Sequence, residues 1–122
     1  MRDHLYDNLT FRIGEIHHQY GENVHIVANP FLLGQLATLC AKGTYQPTIN
    51  RLIALLYTDL LKLVINNEFP RKQVAVPTRM IDANAMGTFH GQVIDPEVRA
   101  VTVNIARAGA LPSQVAYDLF NI

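Results

Sequence analysis

The chain has 122 residues, 49% of them hydrophobic and 16% charged, which suits one globular domain with a modest core and excludes a disordered or collagen-like chain. Ten Lys and Arg offset ten Asp and Glu, so no overall field draws nucleic acid or an anionic membrane, and any anion site has to be local. A single cysteine, Cys40, excludes an intrachain disulfide and zinc spacings of the Cys-x-x-Cys type, and fits a reducing, cytoplasmic compartment. Met1-Arg2-Asp3-His4 does not open a signal peptide, and the apolar runs break before the ~18 residues of a membrane span.

In chain order, Leu5, Leu9, Ile13 and Ile16 recur near every fourth position and predict an N-terminal helix or arm, diluted after His17-His18. Asn29 and Pro30 then stand where a helix takes its N-cap and first residue. Leu33, Leu36, Ala37 and Cys40 line one face of that helix until Gly43 stops it. The strongest periodicity is Ile49, Leu52, Ile53, Leu56, Leu60, Leu63 and Val64, one stripe of a helix opened by Pro47 and closed near Asn66 and Asn67. Leu55 and Leu61 lie off that stripe, so the helix is expected to be covered on more than one side.

After Pro70 the period becomes two. Val74, Val76 and Met80 alternate with polar or small residues, and Phe89 and Val93 do so around Gly91, which predicts a β-hairpin from about residue 73 to 94. Pro77 places its first strand at an edge or bulge. Val98 to Ile105 is β-branched and almost continuously apolar, as expected for a central strand covered on both faces of an α/β sheet. It runs into the small-residue loop Ala106 to Ala110, after which Pro112 can open a helix carrying Val115, Ala116 and Leu119 inward.

That loop is the most informative stretch. Its small residues let backbone approach a ligand closely, and Arg107 places a bidentate cation at the carboxyl end of a strand. With backbone amides and the following helix N-terminus, this is a candidate phosphate or pyrophosphate site. The same residues also suit a tight turn with an exposed Arg, and spacing alone leaves both readings open. Neither a Walker sequence nor Gly-x-Gly-x-x-Gly is present.

Val101-Thr-Val-Asn-Ile-Ala-Arg-Ala-Gly-Ala-Leu resembles the strand, Arg-Ala-Gly loop and helix of the uracil phosphoribosyltransferase family. Upstream, Asn29-Pro30-Phe31-Leu32 is similar to the family's His-Pro-Leu/Val segment, with Asn in place of His. The helix with Arg51 and Leu60-Leu61 resembles its Phe-Arg-Glu-Leu helix, and Phe69 to Arg79 the strand opening its hairpin. The resemblance covers residues 24–122 and leaves 1–23 as an extension or arm. It implies a partial type I phosphoribosyltransferase-like α/β domain: N-terminal helices, a hairpin, and a central strand–loop–helix unit.

The implied reaction transfers ribose 5-phosphate from phosphoribosyl pyrophosphate to uracil, giving UMP and pyrophosphate with Mg²⁺. The family's loop often carries a strained or cis non-proline peptide. By resemblance, Arg107 binds pyrophosphate oxygens and Ala108 and Gly109 donate amides, with Arg51 a further candidate that suits a helix-surface or subunit-contact role slightly better. Such preorganised donors stabilise charge building on the leaving group, and loss of Arg107 is expected to cost about 2 to 4 kcal/mol of that stabilisation.

The chain also departs from the family. It contains no Asp-Asp, Asp-Glu or Glu-Asp pair and no Thr-Gly-Gly, whereas family members carry an acidic pair and Thr-Gly-Gly for ribose 5-phosphate and a later segment for uracil. The expectation is an amino-terminal portion that is inactive alone, with a homo-oligomer or a complementary carboxyl-terminal half as partner. A non-catalytic phosphate-binding or assembly subunit is the alternative.

The remaining candidates read as structural. Adjacent His17 and His18 project about 100° apart on a helix, no His-Glu-x-x-His accompanies His4, His25 or His90, and no direct metal site is expected. Cys40, on an apolar stripe, is expected to be a buried thiol. Asp95 and Glu97 around Pro96 suit a solvated turn better than an acid–base pair. Tyr57 and Thr58 suit packing or an interface. Arg71, Lys72 and Arg79 suit a charged strand edge, or an arm over substrate.

Overall fold

Local sequence signals explain most of the regular structure in the computed structural model, which describes residues 6–121. The Asn29 side chain accepts a hydrogen bond from the Leu32 N–H at 3.2 Å, and Pro30 occupies the first turn of α1 (Pro30–Cys40). Both devices satisfy or avoid amides that a helix start leaves without partners. The helix stops when Ala41 turns extended and gives its N–H to the Thr38 carbonyl, before Gly43 is reached. The long stripe forms α2 (Thr48–Glu68), directly after Pro47. Its first amides are held by the Tyr45 carbonyl, the Gln46 side chain and the Pro47 carbonyl.

Strands β1 (Arg71–Pro77) and β2 (Thr88–Ile94) pair antiparallel from Arg71↔Ile94 to Pro77↔Thr88. Pro77 is the last residue of β1, where a missing N–H costs the ladder nothing. Met80, expected in the strand, instead lies in the connecting turn, which opens with Thr78 donating both its N–H and its hydroxyl to the Gly87 carbonyl. The last helix is α3 (Ala110–Phe120). It starts two residues before Pro112, with Gly109 as its N-cap. Three helices and a two-stranded sheet make a small mixed α/β architecture among the described residues.

Two expectations are corrected. Val98 to Ile105 is not a central strand: the only sheet among the described residues is β1–β2, and Val98 closes a turn onto the Asp95 carbonyl. A strand exists only where a neighbour takes up its amides and carbonyls, and the described residues supply none. Val101, Val103 and Ile105 are accordingly 90%, 90% and 86% exposed. Nor do the described residues form an N-terminal helix. Around residues 14–28 the backbone doubles back, Glu15 bridging to Val27, with Ile16 N–H to the Ile26 carbonyl and Ala28 N–H to the Gly14 carbonyl. Gly21, at φ +105°, allows the reversal. The readings that rest on residues 1–5 or on Ile122 lie outside the described residues.

The chain divides into two compact units. One combines residues 6–12 with 65–99 and centres on the hairpin. Here Gln92 N–H bonds the Tyr6 carbonyl, Gln73 bonds Asp7, and the Tyr6 and Phe89 rings meet at a tilt of 57° with centroids 5.9 Å apart. The other combines residues 13–64 with 100–121 and holds α1, most of α2, the Arg107 turn and α3. Its buried side chains are Leu32, Leu52 and Ala116, one from each helix. Cys40, expected to be buried, is exposed at the end of α1, and so are Leu33, Leu36 and Ala37 of the stripe on which it lies; the buried residue of the helix is Leu32, which is not on that stripe. No helix among the described residues is long and apolar enough to cross a membrane.

Candidate anion-binding site

The extended residues 101–105 lead into a turn over Ala106–Gly109, and α3 follows at once. The Ala106–Arg107 peptide bond is cis. The Gly109 N–H donates to the Ile105 carbonyl at 3.0 Å, and the Ala110 N–H to the Arg107 carbonyl at 3.1 Å. Glycine is required here: a Cβ on Gly109 would lie 2.8 Å from the Asn104 Cβ and 2.9 Å from the Ile105 nitrogen. The turn is thus closed by its own backbone, and each side chain in it is small except Arg107.

This closure corrects one expected role. Gly109 cannot offer its amide to an anion while the Ile105 carbonyl holds it, and the Ala110 amide is likewise committed. Pro112 has no amide to give. Ala108 differs, since its N–H has no acceptor among the described residues. Nor does Arg107 have a carboxylate within ion-pair distance among them. The guanidinium is fixed in charge, planar and free to take a bidentate oxyanion.

Arg107 and Ala108 line two clefts of the same unit. One, of about 590 Å³, runs along residues 102–109 and is backed by Tyr57 and Leu61 of α2 and Pro112, Ser113 and Ala116 of α3. The other, of about 530 Å³, is lined by Asn50, Ile53, Arg107, Ala108 and Leu111. Neither contains Asp or Glu. Both are walled mainly by apolar residues, with Arg107 the one charged side chain lining either, and a cation without a nearby carboxylate favours a negatively charged ligand.

Arg51 is exposed on α2 and lines neither cleft, whereas its neighbour Asn50 lines the second. Sequence reading passed over Asn50. The available signal was its position three residues before Ile53, which puts the two on one helix face. Tyr57 faces the first cleft and also a separate apolar one of about 420 Å³ formed with α1.

Other candidates settle into local roles. Arg71 holds the Leu9 carbonyl at 2.6 Å and the Asn66 carbonyl at 3.0 Å, and Lys72 pairs with Glu97 at 3.3 Å. Asp95 accepts the Glu97 N–H at 3.0 Å, which makes their segment a turn. Thr58 bonds back to the Ala54 carbonyl within α2. His18 accepts from the Tyr20 N–H, and His25 pairs with Glu15. Comparison with protein-family models, with characterised proteins and with solved structures finds no match to this chain.

Proposed function

We propose that this chain supplies the pyrophosphate-holding part of a uracil phosphoribosyltransferase-like enzyme of pyrimidine salvage. The observation that carries the reading is Arg107, a guanidinium without a carboxylate partner in a small-residue turn beside the unpartnered Ala108 N–H. The resemblance of Val101 to Leu111, and of the segments upstream in the same order, gives the anion its identity. In the reaction, the bond from ribose C1 to the pyrophosphate oxygen breaks as a bond from C1 to a uracil nitrogen forms. Pyrophosphate leaves with the electron pair, and the proton of that nitrogen is released. Arg107 stabilises the charge that collects on the departing oxygens, and more so in the transition state than before it.

Magnesium accompanies phosphoribosyl pyrophosphate in this reading. Among the described residues no three His, Cys, Asp or Glu side chains form a metal cage. Phosphate oxygens of the ligand are the donors left to hold it.

The groups for ribose 5-phosphate and uracil are not in this sequence, so transfer to uracil requires them from further chain or from a second chain. The exposed Val101, Val103 and Ile105 suit cover by such a complement or by another subunit. A phosphate-binding or assembly role without turnover is the second reading, favoured by the lack of any acidic pair or Thr-Gly-Gly.

Calorimetry with phosphoribosyl pyrophosphate and Mg²⁺ tests the proposal. Wild type binds and Arg107→Ala loses at least about tenfold in affinity, whereas equal binding by both, or none by wild type, overturns it. Conversion of labelled uracil to UMP, with and without a carboxyl-terminal partner, then separates enzyme from binding subunit.

A further inference from the structure

We propose that Asn50 of α2 is a binding residue of the Arg107 anion site, an inference that rests on the reading of that site as a pyrophosphate cradle. Asn50 and Arg107 line one cleft together with Ile53, Ala108 and Leu111. The Asn50 side chain is already oriented. Its Oδ1 accepts from Gln46 Nε2 at 3.0 Å, while its own backbone N–H donates to Gln46 Oε1 at 3.2 Å. This reciprocal pair engages the oxygen of the carboxamide and leaves the Nδ2 amino group without an acceptor among the described residues.

With its oxygen engaged by Gln46, the Asn50 carboxamide offers two N–H donors on Nδ2. The cleft therefore collects three kinds of donor, a guanidinium, a carboxamide N–H and the Ala108 backbone N–H. It has no carboxylate, and its apolar walls are Ile53 and Leu111. Donors carried by two separate elements suit an oxyanion with several oxygens to distribute between them, as pyrophosphate has. Gln46 acts as a positioning residue: it fixes which end of the Asn50 carboxamide is free.

The test is titration of the full chain with inorganic pyrophosphate and Mg²⁺, using wild type, Asn50→Asp, Asn50→Ala and Arg107→Ala. Asn50→Asp keeps an oxygen for Gln46 and replaces the free donors by an acceptor of like charge to the ligand, so affinity falls by about tenfold or more. Asn50→Ala removes the donors without adding charge and weakens binding about fivefold or more. Circular dichroism and melting temperature confirm that each variant is folded. Pyrophosphate affinity unchanged in Asn50→Ala while Arg107→Ala loses it overturns the role of Asn50 and leaves the Arg107 reading standing. An absence of wild-type binding, or full binding by Arg107→Ala, removes both.

Discussion

Leu52→Ala and Val103→Ala form a matched pair that measures where the fold of the larger unit is held. Leu52 is 8% exposed in the second turn of α2, and Val103 is 90% exposed on the extended segment. Leu and Ala differ little in helix propensity, so the Leu52 change acts through packing. A buried Leu→Ala substitution costs about 2–5 kcal/mol, less where neighbours relax into the space. No described side chain is completely enclosed, so the lower end applies, about 2–3 kcal/mol. For a chain of this size that lowers Tm by about 8–12 °C. Val103 has almost no packing to lose, and Val103→Ala should shift stability by less than about 0.5 kcal/mol. Thermal melts followed by circular dichroism, at several protein concentrations, read both values. A Val103→Ala loss matching that of Leu52→Ala would refute the reasoning, because the segment would then be covered in solution.

Two further outcomes follow from local geometry. Asn29→Ala removes the side-chain cap of α1 and should cost about 1 kcal/mol in urea denaturation, with Asn29→Ser close to wild type. Gly109→Ala forces a methyl against the Asn104 Cβ and the Ile105 backbone. It should destabilise by about 1–3 kcal/mol and, by displacing the Arg107 turn, weaken pyrophosphate binding in calorimetry.

What the sequence made legible was local. Asn29-Pro30 announces a helix start by its own chemistry, the stripe from Ile49 to Val64 needs only a helical period, and the hairpin residues alternate as a ladder demands. The failures share a cause: each inferred a neighbour from a pattern. A β-branched run such as Val98 to Ile105 indicates a segment fit for burial, yet burial takes other strands, and none adjoins it here. Cys40 sits on an apolar stripe that stays exposed along its length, while α1 turns Leu32 inward. Leu9, Ile13 and Ile16 keep helical spacing, but Gly14 and Gly21 interrupt the segment and its amides find the residues around Ile26 instead. At the site, Arg107 was visible because a large cation among small residues is conspicuous in one dimension. Asn50 was not, since only the approach of α2 to the turn makes it a neighbour of Arg107.

The bare stretch from Val101 to Ile105 has a spectroscopic consequence. Amide protons there have no ladder to break before they meet solvent, so deuterium should replace them at nearly the rate of a free peptide, while those inside α2 wait for the helix to open. Any chain that lays its own backbone alongside will register first as a slowing of exchange at those few positions, which makes them a built-in reporter of assembly.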